Sequence, residues 1–312
     1  MDARLGTAAA VAVLVVALAG CGGRTQAEAP VQQAKLPPAT SSAPTTTTPP
    51  PPPELPMGGR TVFPQYRVVA YYGTGGTPAL GVLGQGTPEE AADAVDKAAQ
   101  GFATPDRKVQ PAMEFIATVA DGYPGPDGAY SHQVASEEVQ RYLDVAREHH
   151  QLFIVDVQPG QRDFMSAVQP YRDLLAQPDV GLALDAEWRM EPGQVPGTVI
   201  GHVGATEVNG VLDWVAELTK SRDLPQKVVL LHMFRASMIP DLAGVAEHPE
   251  LALVQHLDGF GGVETKMDIY HAIANPDKFH MGFKLFYQQD KPMLGPDEVL
   301  RMTPQPEFVS YQ

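Results

Sequence analysis

Short apolar runs alternate with amphipathic segments along most of the chain, from Arg67 to the C-terminus. The runs are six to ten residues long, as buried β-strands usually are. The predicted strands cover residues 67–73, 112–119, 152–157, 180–188, 227–234, 251–260, 281–288 and 307–312. The predicted helices cover residues 87–102, 136–149, 164–176, 207–220, 241–246 and 264–274, and a short one begins near Pro296. Thr87, Ser136 and Thr206 are the expected N-caps.

This order of elements predicts a barrel. Strands that alternate with helices pair in parallel through right-handed crossovers. Eight strands within residues 67–312 fit a (β/α)8 TIM-like barrel that ends on its eighth strand, because such barrels hold about 250 residues. An open doubly wound sheet is disfavoured, because the glycine-rich turn Gly73-Thr74-Gly75-Gly76 does not match the dinucleotide-binding pattern G-x-G-x-x-G.

The N-terminus has the features of an export signal. Arg4 precedes an apolar run, residues 8–19, that is too short to span a bilayer. The run ends in Leu18-Ala19-Gly20-Cys21, which resembles the lipobox of bacterial, actinobacterial-type lipoproteins. The resemblance implies that residues 1–20 are a signal peptide and that Cys21 becomes the acylated N-terminus on the outer face of the cell membrane. The alternative is an ordinary secretory signal.

Residues 21–66 are predicted to form a disordered Pro/Thr-rich tether. Eleven of the 30 prolines lie here, five of them consecutive after four threonines. The whole chain carries 37 acidic and 22 basic side chains, a net charge of −15, which argues against a nucleic-acid partner. One cysteine excludes a disulfide framework and a cysteine-ligated metal. We expect a monomer attached to the membrane by its lipid.

The informative polar residues are those that strand alternation points into the barrel mouth. In the fourth predicted strand, Leu182 and Leu184 face the helices, which places Asp185 and Glu187 on the inner face at the end of the strand. Applied to the other strands, the same rule gathers further candidates around one mouth. They are Tyr72, Asp156, Gln158, Trp188, His232, Asp258, Lys284 and Gln288.

Two neighbouring carboxylates suit glycoside hydrolysis. Repulsion and burial raise the pKa of one, which leaves one proton donor and one anion. The donor protonates the leaving oxygen, while the anion acts as nucleophile, base or charge stabiliser. Trp188, Tyr72 and Phe234 offer apolar platforms for sugar rings.

The segment Asp185-Ala186-Glu187 resembles the Asp-x-Glu motif of barrel glycosidases such as family 25 muramidases and, more loosely, family 18 chitinases. That resemblance implies that Glu187 is the general acid, with Asp185 as its carboxylate partner; Asp156 is an alternative partner. The chain departs from other patterns of these families. Ala183 and Val180 stand where chitinases have acids, and Lys284 and Gln288 stand where other glycosidases have a nucleophile on the seventh strand.

The sequence therefore predicts a membrane-anchored, extracytoplasmic glycoside-hydrolase-like protein that acts on a cell-envelope or extracellular polysaccharide without a cofactor or metal. One alternative is a non-catalytic glycan-binding lipoprotein on a degenerate barrel, in which Asp185 or Glu187 pairs with Lys284 or Arg189. Another is a metal-assisted hydrolase that uses Asp156, Asp185, Glu187 and Asp258 as ligands. A serine hydrolase is disfavoured because the motif G-x-S-x-G is absent.

Overall fold

The structure, a computed structural model, describes residues 51–312. Eight parallel strands close into a barrel, since β1 pairs with β2 on one side and with β9 on the other. The barrel strands are β1 (Tyr66–Gly73), β2 (Lys108–Ala120), β4 (Leu152–Val157), β5 (Val180–Asp185), β6 (Lys227–Met233), β7 (Leu251–Leu257), β8 (His280–Leu285) and β9 (Phe308–Tyr311). The short β3 (Ser131–Gln133) pairs antiparallel with the end of β2. The predicted (β/α)8 barrel is confirmed.

Helices cover the outside of the barrel. They are α1 (Pro88–Gln100), α2 (Ser136–Glu148), α3 (Phe164–Val168), α4 (Arg172–Leu175), α5 (Ala205–Ser221), α6 (Val263–Ile273) and α7 (Pro296–Leu300). The capping box predicted at the start of α1 is present: Glu90 N donates to Thr87 Oγ1, and Thr87 N donates to a Glu90 carboxyl oxygen. The main apolar core lies between the strands and these helices.

A second apolar core fills the lower part of the barrel interior. It is formed by small and branched residues at alternate strand positions, such as Ala112, Ile154 and Leu230. Leu55, Val62 and Phe63 close this core from below, and each is less than 7% exposed. Residues 51–65, which the sequence assigns to the tether, therefore contain apolar side chains that the barrel floor buries.

Several strands are shorter than predicted. Strand β5 ends at Asp185 and continues into a 3-10 turn, Ala186–Trp188. Strand β8 ends at Leu285 because Asp290 folds the chain back: its carboxylate accepts a hydrogen bond from Phe286 N at 2.9 Å, and its own N–H donates to Phe286 O. Strands β6 and β7 also end before the predicted residues Phe234 and Phe260.

The helix predictions need three corrections. Pro170, which lacks an N–H, splits the helix predicted for residues 164–176 into α3, a 3-10 turn and α4. Ser136 and Thr206 lie inside their helices, whose N-caps are Ala135 and Gly204. At α5 the cap is supplied from elsewhere, since Ala205 N donates to Asp241 Oδ1 at 2.8 Å. The predicted helix at residues 241–246 is a 3-10 turn, Leu242–Gly244.

The predicted signal peptide, Cys21 and the first part of the tether lie outside the described residues. Within residues 51–312, no helix combines the length and the hydropathy that crossing a membrane requires.

Candidate functional site

A layer of polar side chains lies above the apolar floor of the barrel, and every barrel strand contributes one. Strand registers place Tyr72 beside Glu114, Asp185 beside His232, and Lys284 beside Ser310. The full layer is Tyr72, Glu114, Asp156, Asp185, His232, His256, Lys284 and Ser310, all less than 4% exposed. Burying this many polar groups is unfavourable unless they are paired or used, so the layer marks the candidate site.

A buried hydrogen-bonded chain, Glu114–His232–Asp258, crosses the layer. His232 Nε2 lies 2.6 Å from Glu114 Oε1, and His232 Nδ1 lies 3.0 Å from Asp258 Oδ2. Burial alone would lower the pKa of His232, but the Glu114 carboxylate and these hydrogen bonds outweigh it and raise that pKa well above 6.5. These neighbours favour the protonated ring of His232, in which one ring nitrogen donates to Glu114 and the other to Asp258.

The same chain keeps Asp258 ionised. Burial alone would raise the pKa of Asp258, but the hydrogen bond from His232 and the positive charge on its ring hold it below 3.8. Asp258 Oδ1 is buried without a hydrogen-bond partner among residues 51–312. Because Asp258 also lines the main cavity, it presents a negative charge to whatever enters.

Glu187 has the opposite electrostatic character. Burial, and then the nearby charge of Asp258, raise its pKa from 4.5 to about 7. Its carboxyl group is partly buried, and no side chain of the described part of the chain forms a hydrogen bond or ion pair with it. The 3-10 turn that carries it is fixed by Gly201, whose N–H donates to Glu187 O at 2.7 Å. A Cβ on Gly201 would lie 2.5 Å from that oxygen, so this approach requires glycine.

Asp185 and Asp156 are buried acids with raised pKa values. Burial raises the pKa of Asp156 to about 6, although its Oδ2 accepts a hydrogen bond from the Tyr72 hydroxyl at 3.0 Å. Gln158 Nε2 donates in turn to the Tyr72 hydroxyl. Burial also raises the pKa of Asp185 well above 3.8. Burial therefore favours the protonated form of Asp185, and its Oδ1 has no hydrogen-bond partner within residues 51–312.

The ion pairs that would make this site purely structural do not form. Arg189 binds Glu207 instead, at 2.9 Å. The Lys284 ammonium lies 3.2 Å from the centroid of the Tyr72 ring, and it is not within 4 Å of a carboxylate of the described residues. Lys266 donates to Lys284 O at 2.6 Å, which fixes the end of β8.

An open cavity of about 550 Å³ lies above the polar layer. This size is typical of small-molecule sites. Asp185, Glu187 and Asp258 line it, as do Gln158, Lys284 and Arg235. Its aromatic walls are Tyr72, Trp188, Phe234, Phe260 and Phe286. The cavity therefore combines three acids with apolar ring faces.

Among the described residues, one group of side chains has metal-ligand spacing: Glu114, His232 and His256, whose ligand atoms lie within 4.8 Å of one another. A cation there would have to displace the hydrogen bond of His232 to Glu114 and remove a proton from a ring with a raised pKa. His256 Nε2 is already 2.7 Å from Ser310 Oγ, and burial and then the His232 charge lower the pKa of His256 well below 6.5. The four acids suggested as metal ligands do not form such a group.

Most of the predicted site residues lie close together in the structure. The structure brings together nine of the predicted residues: Tyr72, Asp156, Gln158, Asp185, Glu187, Trp188, His232, Asp258 and Lys284. Gln288 was predicted to lie at the mouth but does not line the main cavity. The chain turns back after Phe286 and leaves Gln288 exposed outside it. Glu114, His256 and Ser310 were not predicted as site residues. Glu114 stands between Met113 and Phe115, which face the helices. This alternation indicates that Glu114 faces into the barrel.

Comparison with known proteins identifies no family for this chain. No family model matches the sequence, and no curated protein matches it. Among solved structures, the chain is similar to a D-allulose 3-epimerase from Methylomonas sp., with 10% identity and a TM-score of 0.37. The match covers 80% of this chain and 85% of the epimerase. At this level the similarity has no bearing on activity.

Proposed function

We propose that this protein is a membrane-anchored, extracytoplasmic enzyme that hydrolyses glycosidic bonds in a cell-envelope or extracellular polysaccharide. One observation supports this above all: Glu187 and Asp258 line the same cavity, and their surroundings move their pKa values in opposite directions. Two carboxyl groups separated in this way provide an acid and an anion at the same pH.

Glu187 is the proposed general acid. Its proton goes to the bridging oxygen as the bond between that oxygen and the anomeric carbon breaks, which releases one sugar as an alcohol. Water adds to the anomeric carbon and supplies the proton that restores Glu187, either directly or through Asp258. The net reaction consumes one water for each glycosidic bond broken.

Asp258 is the proposed carboxylate partner, in place of the Asp185 or Asp156 predicted from the sequence. A partner must be ionised to stabilise the positive charge that develops at the anomeric carbon. Burial raises the pKa of both Asp185 and Asp156, whereas the pKa of Asp258 is lowered, so Asp258 is the acid that stays ionised over the widest pH range. In this proposal Asp185 forms a hydrogen bond with a sugar hydroxyl, while the aromatic walls pack against ring faces.

These assignments set the pH dependence. Glu187 must be protonated, so activity falls as pH rises through about 7. Asp258 must be ionised, so activity is lost on the acid side only as pH falls through its lowered pKa. A kcat/KM that rises steadily from pH 6 to 9 would contradict the proposal.

The decisive assay measures release of reducing ends from a panel of envelope and extracellular polysaccharides by the purified full-length protein. Glu187→Gln should lower the rate of release by about 10²–10⁴-fold and preserve binding, whereas the control Glu217→Gln, an exposed position on α5, should leave both unchanged. Equal release by Glu187→Gln would refute the role of Glu187. Binding without turnover would support a second candidate, a non-catalytic glycan-binding protein. Lys284 favours this candidate because it stands where other glycosidases have a nucleophile on the seventh strand.

The membrane attachment rests on the sequence around Cys21. We expect the protein to take up a clickable palmitate analogue in bacterial cells and to fractionate with the membrane. Cys21→Ser should abolish both. Unchanged labelling of Cys21→Ser would contradict the anchor without affecting the enzymatic proposal.

A further inference from the structure

A groove leads away from the main cavity over the ends of β8, β9 and β1. These strands are neighbours in the barrel, so the segments that follow them meet at one side of the mouth. Gln312 lines both the main cavity and a small depression beside it. That depression shares Val82, Gln85, Tyr287 and Gln288 with a third one of about 380 Å³. The main cavity and the two depressions form a continuous row. We call the two depressions, which begin at Gln312, the side groove.

Tyr287 provides a fixed aromatic surface in the side groove. Its side chain is 44% exposed, although large apolar rings are usually covered. It stacks on Tyr311, with ring centroids 5.3 Å apart and an angle of 21° between the planes. Its hydroxyl lies 3.1 Å from that of Tyr71. A ring held on two sides loses little conformational entropy when a ligand packs on it.

The polar groups of the side groove are mostly amides. Gln85 and Gln288 are exposed and form no side-chain hydrogen bond with any described residue, and Gln312 lies at the junction with the cavity. Amides both donate and accept, which matches sugar hydroxyls. No lysine or arginine lines the two outer depressions, and their single acid, Glu90, caps α1. The chemistry therefore favours an uncharged, hydroxyl-rich ligand over a phosphate or a uronate.

We propose that the side groove is a set of additional sugar subsites that binds an uncharged glycan chain extending from the main cavity. This inference rests on the proposed function for the identity of the ligand. It gives Gln288, which is outside the main cavity, a place in substrate binding. It also predicts that the protein prefers chains of several sugars to disaccharides, because only a longer chain reaches Tyr287.

Calorimetry on the Glu187→Gln protein tests this directly, with cello-, malto- and chito-oligosaccharides of two and six residues as probes. We expect one series to bind, with the six-residue member at least tenfold tighter than the two-residue member. Tyr287→Ala and, separately, Gln288→Ala should reduce that ratio several-fold, whereas Tyr287→Phe, which keeps the ring, should retain most of it. Tyr123→Ala, an exposed tyrosine outside the groove, is the control and should change neither affinity.

Equal affinity for short and long members of every binding series would overturn the inference, as would an unchanged ratio in Tyr287→Ala or no binding by any series. The two proposals fail separately. Length-dependent binding without turnover by the wild-type protein would leave the groove standing and refute hydrolysis. Turnover of short substrates with no dependence on chain length would support hydrolysis and refute the side groove.

Discussion

Glu187→Gln is expected to make the protein more stable while it lowers the activity on polysaccharides. The folded protein holds a carboxyl group whose pKa is raised from 4.5 to about 7. At pH 8 the unfolded chain gains more from ionising Glu187 than the folded chain does, which destabilises the fold. At 1.36 kcal/mol per pKa unit, the upper limit is about 3 kcal/mol. Partial solvent access reduces it, so we expect about 1–3 kcal/mol.

The effect has a defined pH window. Below pH 4.5, Glu187 is protonated in both states, so the substitution should have no electrostatic effect. The gain should appear as pH rises from 4.5 to about 7 and then stay constant. Urea unfolding of wild type, Glu187→Gln and the control Glu217→Gln at pH 5 and pH 8 measures it. A destabilised variant at pH 8, or an equal difference at both pH values, would refute the electrostatic account of Glu187.

Three further predictions test other parts of the structure. Lys284→Met removes a positive charge that lowers the pKa of Glu187, so the alkaline limb of kcat/KM should move to higher pH; a downward move would contradict this. Glu114→Gln removes the carboxylate that keeps His232 protonated, so the pKa of Asp258 should rise and the acid limb of kcat/KM should move to higher pH. A loss of kcat without any shift of that limb would mean that Glu114 has a purely structural role. Phe63→Ala should lower the free energy of unfolding in urea by about 2–4 kcal/mol, because the ring is buried under the barrel floor. A loss below about 0.5 kcal/mol, as at ordinary surface positions, would mean that residues 51–65 do not pack against the barrel.

The barrel was predictable because its signals are local. Alternation within each strand depends only on side chains two residues apart, and it correctly places Asp156, Asp185, His232 and Lys284 in one layer. Helix starts marked by a capping box, such as that of α1, are local in the same sense.

The rest depends on contacts between residues far apart in the sequence. Glu114 and Asp258 acquire their roles only because the closed barrel brings them to opposite sides of His232. Gln288 leaves the strand because Asp290 and Lys266 fix a turn. Alternation predicts Glu187 on the inner face of a strand, whereas the structure places it in a 3-10 turn held by the distant Gly201.

The packing of residues 51–65 was hidden by their composition. A proline-rich segment is typical of disordered chain, and nothing in its own pattern shows that Val62 and Phe63 meet the open lower end of the barrel.

Dependence on the leaving group tests the central claim most directly. A native glycosidic bond needs a proton on its leaving oxygen, whereas a dinitrophenyl glycoside does not, because its leaving group is already stable as an anion. Glu187→Gln should therefore lower kcat/KM for an oligosaccharide by about 10²–10⁴-fold and for the matching dinitrophenyl glycoside by less than about tenfold, and the alkaline limb near pH 7 should disappear. Equal losses on both substrates, or full activity on the oligosaccharide, would show that Glu187 is not the general acid.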